Sequence, residues 1–165
     1  MEKHYFAGAT THKGFVNFFE DIERGATYIL KGVPGCGKNT LIKKVAEHFK
    51  DEPIEYFHCA ADPDSLDGIR LVNHNILIVD GTQPHPIKKR PDIDKIINLT
   101  ADIDIDARKL ARRKKKHFEQ AEKELRHARD AHKEIEKLYA THIDFDEITQ
   151  TTRNLIQEIE IMILK

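Results

Sequence analysis

The chain has 165 residues, with 39% hydrophobic and 33% charged residues and a formal net charge of −1 at pH 7. That length suits one domain with a real core, and the near-neutral balance excludes a global attraction to nucleic acid or anionic lipid. Two cysteines, Cys36 and Cys59, are too few for a disulfide framework and lack metal-pair spacing; no apolar run approaches the ~18 residues of a membrane span, so a cytoplasmic protein is expected.

Residues 1–13 carry Gly8 and the pair Thr10-Thr11, which mark irregular structure or a turn. From Gly14 to Arg24, Phe15, Phe18, Phe19 and Ile22 recur at i, i+3, i+4 and i+7, and Gly25 stands where a C-terminal cap belongs. This predicts an amphipathic helix with its aromatic stripe in the core.

Thr27-Tyr28-Ile29-Leu30 is a short β-branched and aromatic run. The bend Gly32-Val33-Pro34-Gly35-Cys36-Gly37-Lys38-Asn39-Thr40 follows it, and Leu41-Ile42-Lys43-Lys44-Val45-Ala46 then has helical spacing. Strand, glycine-rich bend and helix in that order are what a phosphate-binding P-loop requires. Glycines let backbone N–H groups approach phosphate oxygens, the helix start adds free donors, and Lys38 reaches the β- and γ-phosphates. Gly32, Pro34, Gly35, Cys36, Gly37, Lys38, Asn39 and Thr40 are therefore the expected nucleotide cradle. After the lysine this motif ordinarily places Ser or Thr, whose hydroxyl binds Mg²⁺; here Asn39 stands there, with Thr40 one place later. An amide oxygen is a weaker candidate for a cation that demands octahedral geometry, so binding of ATP or GTP is easier to defend than fast hydrolysis.

The P-loop helix is expected to fade near Phe49-Lys50, and Ile54 to Cys59 reads as a second strand. Asp62, Asp64 and Asp67, with Pro63 and Gly68, predict a loop at the carboxyl end of that strand. The spacing misses a calcium loop by one position and lacks its downstream Glu, so these carboxylates are candidates to position substrate or water, or simply to form Asx turns. Asn75 to Thr82 is a third strand, continuously apolar and ending in Asp80, the position of a Walker B aspartate that holds Mg²⁺ directly or through water. Lys38 and Asp80 are the candidate catalytic pair, and Asn39 and Asp80 the candidate metal ligands. No glutamate follows Asp80; Thr82 and His85 are the neighbours able to position a water or substrate. Residues 94–100 predict a short helix or an edge strand.

From about Asp106 the chain has neither Gly nor Pro. Phe118, Ala121, Leu125, Ala128, His132, Ile135 and Tyr139 keep a 3-4 spacing, extended backwards by Lys114, Ala111 and Ala107. After a break at 141–144, Phe145, Ile148, Thr152, Leu155, Ile159 and Met162 continue it, which predicts an antiparallel helical hairpin with narrow, coiled-coil-like seams. Seven basic residues between Arg108 and Lys116 are read as a charged helix face or as the source of a lid arginine. The expected organisation is an α/β, three-layer P-loop core with a small parallel sheet over 1–100 and the hairpin, a lid or dimerisation element, over 101–165.

His4-Tyr5-Phe6-Ala7-Gly8, Ile29 to Lys38, His58-Cys59-Ala60-Ala61-Asp62-Pro63-Asp64-Ser65-Leu66-Asp67-Gly68 and Val79-Asp80-Gly81-Thr82-Gln83-Pro84-His85 together resemble a family of poorly characterised bacterial P-loop ATPases, also labelled nucleotide kinases. Its members are tandem proteins with two P-loop halves, and this chain resembles one half. The resemblance implies phosphate binding by Gly32 to Lys38, Mg²⁺ support from Asp80, and a homodimer or second P-loop half as partner. The expected function is Mg-nucleotide binding with ATPase or small-molecule phosphotransferase activity; the alternative is a catalytically weakened nucleotide-binding module whose hairpin docks a partner.

Overall fold

The computed structural model describes residues 2–85, 87–99 and 105–164, with backbone alone for 105–108. It divides into two compact units, 1–126 and 127–165, the division falling within the first long C-terminal helix. The boundary expected at 100/101 lies outside the described residues.

The first unit is built on a six-stranded sheet. In chain order its elements are β1 (Glu2–Tyr5), β2 (Gly8–Thr11), β3 (Gly14–Asn17), β4 (Thr27–Lys31), α1 (Lys38–His48), β5 (Ile54–Cys59), β6 (Asp62–Leu71), β7 (Ile76–Asp80) and β8 (Lys95–Asn98). The sheet runs β1-β5-β6-β7-β4-β8, and β2 and β3 pair separately as an antiparallel ribbon. Every sheet strand except β6 points the same way. The carboxyl ends of β4, β5, β7 and β8 therefore meet at one edge.

The expected small parallel sheet is thus a mixed, mostly parallel one, and its odd strand is the aspartate-rich stretch expected as a loop. β5 and β6 are joined through only Ala60 and Ala61, and β6 and β7 through residues 72–75. Connections that short can join only antiparallel neighbours. Asn75, in the left-handed region at φ 50°, closes the second of them and donates its N–H to the Val72 carbonyl at 3.1 Å. A register shift opposite Phe57, His58 and Cys59 absorbs the awkward Asp and Pro positions as a bulge.

The helix expected over Gly14 to Arg24 is absent: β3 and a series of turns occupy it. Gly14, at φ 95°, turns the β2–β3 ribbon. The Asn17 side chain then accepts the Phe19 N–H at 3.1 Å, and the Phe18 N–H bonds the Ala7 carbonyl at 2.7 Å. The aromatic spacing is coincidental, since Phe19 is fully buried while Phe18 is 56% exposed. Residues 1–13, expected to be irregular, contain β1 and β2; β1 pairs parallel with β5 at the sheet edge.

Two apolar clusters flank the sheet. On one face Ile42 and Ala46 of α1 pack with Leu30, Ile54, Ile69 and Ile78. On the other, Phe19 and Ala7 pack with Ile29, Phe57, Leu77 and Val79, supported by Ile22 and Ile87. Among the described residues no helix contributes to this second cluster, whose Phe19, Ile22 and Ile87 come from turns and connecting chain. Each fully buried aliphatic or aromatic side chain contributes ~1.5–3 kcal/mol.

A polar staple holds the β8 side of the sheet. Asp94, buried, accepts the Thr27 N–H at 3.0 Å, the Arg90 N–H at 2.8 Å and the Arg90 guanidinium at 2.7 and 3.1 Å. Arg90 also donates to the Arg24 and Gly25 carbonyls. These donors, the guanidinium foremost, hold the Asp94 carboxyl far below the ordinary carboxylate range. A depressed folded-state pKa gives stability that is present above the unfolded value of about 3.9 and is lost as pH falls through the folded one. Asp94→Ala should cost about 2–3 kcal/mol at pH 7, and the gap to wild type should narrow on acidification below about pH 4. Urea denaturation across that range checks it; a gap constant with pH would contradict the assignment.

The long helix α2 (Ile105–Ala140) and, after a turn, α3 (Phe145–Ile163) form where the 3-4 spacing predicts. Asp144 caps α3 by accepting the Asp146 and Glu147 N–H groups, each at 3.0 Å, and those two acidic residues suit the positive helix end. Most seam residues are exposed. Ile148 (50%), Leu155 (55%) and Met162 (66%) are exposed, as are Ile135 and Tyr139 on α2. With Ala, Lys, His and Thr among the seam positions, little apolar surface remains to drive closure. Among the described residues no helix is long and apolar enough to cross a membrane.

Candidate functional site

The turn from Gly32 to Gly37 leaves the end of β4, and α1 begins at Lys38. Gly37 is the N-cap of α1 at φ 93°, a conformation that favours glycine, and having no side chain it leaves the first-turn N–H groups without a side-chain cap. No acidic residue occupies that turn. The helix therefore presents its positive end to the carboxyl edge of the sheet. Gly32 is fixed by contact, because a Cβ there would clash with the Cys36 Sγ and stand 2.7 Å from the Leu99 carbonyl oxygen. Gly32→Ala should consequently displace the turn or the strand end beside it. Pro34, Gly35 and Thr40 are exposed, and Cys36 is half-buried with its N–H bonded to the Val33 carbonyl at 3.2 Å.

Lys38 is buried, and its ammonium folds back onto the turn. The Nζ donates to the Gly32 and Val33 carbonyls at 2.8 and 3.0 Å and lies 3.7 Å from an Asp80 carboxylate oxygen. Asp80 ends β7 directly across from Leu30 of β4, which explains the closeness. Its other oxygen accepts the Thr82 N–H at 2.8 Å, and the Thr82 hydroxyl donates to the Gly32 carbonyl at 3.2 Å. Lys31 reaches the Gly81 carbonyl. One short network thus binds the β4 turn to the β7 end.

Asn39 points elsewhere. Its amide oxygen accepts the Leu66 N–H at 3.0 Å and its Nδ2 faces the Ser65 hydroxyl at 3.4 Å; Ser65 in turn donates to Asp62 at 2.7 Å. Lys43 donates to the Asp64 carbonyl at 2.7 Å. The start of α1 is therefore tied to the start of β6, and Asp62 and Asp64 are exposed parts of that tie.

Asp67 and His85 form a separate, buried pair, with Nε2 and Oδ2 3.5 Å apart. His85 Nδ1 and Asp67 Oδ2 have no hydrogen-bond partner. The rings of Phe15 and Phe19 stand edge-on to the imidazole at 4.8 and 6.3 Å. Burial pushes the Asp67 carboxyl up, and the imidazole and a Cys59 thiol hydrogen bond oppose that. Burial also raises the Cys59 thiol above its usual range, which disfavours the nucleophilic thiolate.

The sequence-predicted residues therefore fall into two groups at one edge: Lys38, Asp80 and Thr82 around the turn, and Asp67 with His85 beside it. Cys59, Ser65 and Lys31 join them; they lie inside the resembling stretches, but the sequence assigns them no role at the site. Among the described residues no cluster of three or more His, Cys, Asp or Glu side chains could hold a metal ion by itself. A groove of about 480 Å³ starts at Gly37 and Thr40 and follows α1 past Leu41 and Lys44 to His48. Comparison of the chain with protein-family models, curated proteins and solved structures finds no match.

Proposed function

We propose that this chain is a P-loop nucleoside-triphosphate-binding protein, akin to the tandem ATPase and nucleotide-kinase-like family it resembles, with ATP hydrolysis or phosphoryl transfer to a small acceptor as its activity. The observation that carries the reading is the Lys38 ammonium, held 3.7 Å from Asp80 beside the uncapped start of α1. The main-chain donors of Gly35, Gly37, Lys38, Asn39 and Thr40 would receive phosphate oxygens, and the Lys38 ammonium would leave the Gly32 and Val33 carbonyls for them. Carbonyl contacts are weaker acceptors than phosphate, so the exchange favours the nucleotide.

The donor set suits Mg²⁺ with Asp80 as its protein support, because that carboxylate sits beside the phosphate cradle and Mg²⁺ takes few protein ligands alongside phosphate oxygens. Bound there, the ion would neutralise charge developing on the transferring phosphoryl group. Asn39 contributes differently, since its amide oxygen is engaged by Leu66; its service is to brace the start of α1.

That engagement also favours the second reading, a module that binds nucleotide with little turnover. Titration calorimetry with ATP and GTP, each with and without Mg²⁺, tests nucleotide binding; Mg²⁺-dependent heat is expected, and no heat with either nucleotide would overturn the proposal. Turnover of Asn39→Thr separates the readings: a large gain identifies the natural chain as a binding module, and no gain or a loss identifies it as an enzyme with asparagine in service.

A further inference from the structure

We propose that His85, oriented by Asp67, is the proton acceptor for the nucleophile attacking the terminal phosphorus, with Nδ1 as the accepting atom; this rests on the nucleotide-binding reading above. The residue after Asp80 is Gly81, so the carboxylate that often activates water at that position is missing, and the proton needs another destination. The pair lies at the same sheet edge. β6 and β7 pair Gly68 with Val79, which places Asp67, within β6, beside Asp80 at the end of β7. From the other side, the His85 N–H bonds the Thr82 carbonyl at 2.9 Å, closing the turn that begins at Asp80.

The arrangement within the pair has the form a base requires. A catalytic imidazole works when a carboxylate faces one ring nitrogen and leaves the other free to take a proton. Here Oδ2 of Asp67 stands 3.5 Å from Nε2 without forming a hydrogen bond, a contact that would shorten with substrate bound, and Nδ1 is buried and without a partner. Phe15 and Phe19 restrict rotation of the ring. A buried polar nitrogen left unpaired is costly, and taking a proton there is a use that would account for it. Among the described residues, the charged and titratable groups that act on Asp67 besides His85 are Cys59 of β5, Asp80 of β7 and Lys114 of α2. Burial raises the Asp67 carboxyl overall, and the His85 imidazole and the Lys114 ammonium oppose that rise.

The step balances without a further reagent. As the oxygen of water or of an acceptor hydroxyl bonds to the terminal phosphorus, its proton passes to His85 Nδ1. The bond from that phosphorus to the bridging oxygen breaks, and its electron pair leaves with the nucleoside diphosphate. The imidazolium then returns the proton to solvent or product.

His85→Ala and Asp67→Asn test the assignment, each measured for ATP affinity, for single-turnover rate across pH and for thermal unfolding. His85→Ala should keep ATP affinity within about threefold, lose about 10²–10⁴-fold in rate, lose the acid limb of the pH–rate profile, and regain rate with added imidazole. Asp67→Asn should lower the rate less and retain the acid limb. Wild-type turnover matched by His85→Ala would overturn the role while leaving nucleotide binding intact, and so would ATP binding by a wild type that shows no turnover. Failure of wild type to bind ATP would overturn the nucleotide reading itself. If His85→Ala does not fold, His85→Gln replaces it, and an unchanged rate there would overturn the role equally.

Discussion

Lys38→Ala is expected to weaken ATP binding by about 10- to 100-fold, the worth of ~1.5–3 kcal/mol in charge-assisted hydrogen bonds. The side chain is buried and its ammonium is shared between two carbonyls and Asp80, so it is held close to the turn before any ligand arrives. Lys38→Arg should not restore affinity fully. The planar guanidinium demands a fork of acceptors, whereas the Lys38 ammonium meets Gly32 and Val33 as a compact donor. Calorimetric titration of wild type and both variants with Mg-ATP gives the comparison, and equal affinity for wild type and Lys38→Ala would remove Lys38 from the site.

The second large effect concerns stability. Phe19→Ala should cost about 3–5 kcal/mol, because the ring is wholly buried between the sheet and the chain that covers its second face. Phe18→Ala, one residue earlier, should change stability by no more than about 0.5 kcal/mol, since Phe18 is 56% exposed. Urea unfolding of the two variants discriminates sharply. An amphipathic helix over 14–24 would bury both rings on one face and give comparable losses; the observed turns bury only one.

What the sequence makes legible depends on how local the signal is. β4, the turn and α1 are readable because a β-branched run, closely spaced glycines and a helical repeat are all contained in adjacent residues. β7 is readable as an unbroken apolar run, buried among neighbours on both faces of the sheet. β6 is not, since Asp62, Pro63, Asp64, Asp67 and Gly68 are residues that strands avoid, and only pairing with β5, joined by β7 from Gly68 onward, makes a strand of them. Residues 14–24 mislead in the opposite direction: an aromatic repeat of helical period coincides with a ribbon and turns fixed by Gly14 and Asn17. The Lys38–Asp80 pair follows from motif and register together, whereas the Asn39–Leu66 link depends on where β6 folds and has no local sign. The seams of α2 and α3 are readable as periodic, but periodicity alone does not say what covers them.

The proposed grip on a triphosphate is most directly measured by following backbone amide resonances of ¹⁵N-labelled protein during titration with Mg-ATP. The account predicts the largest shifts at Gly35, Gly37, Lys38, Asn39 and Thr40, with smaller ones at Asp80 and Thr82. Shifts confined to the outer groove at Lys44 and His48, or no shifts at all, would contradict it.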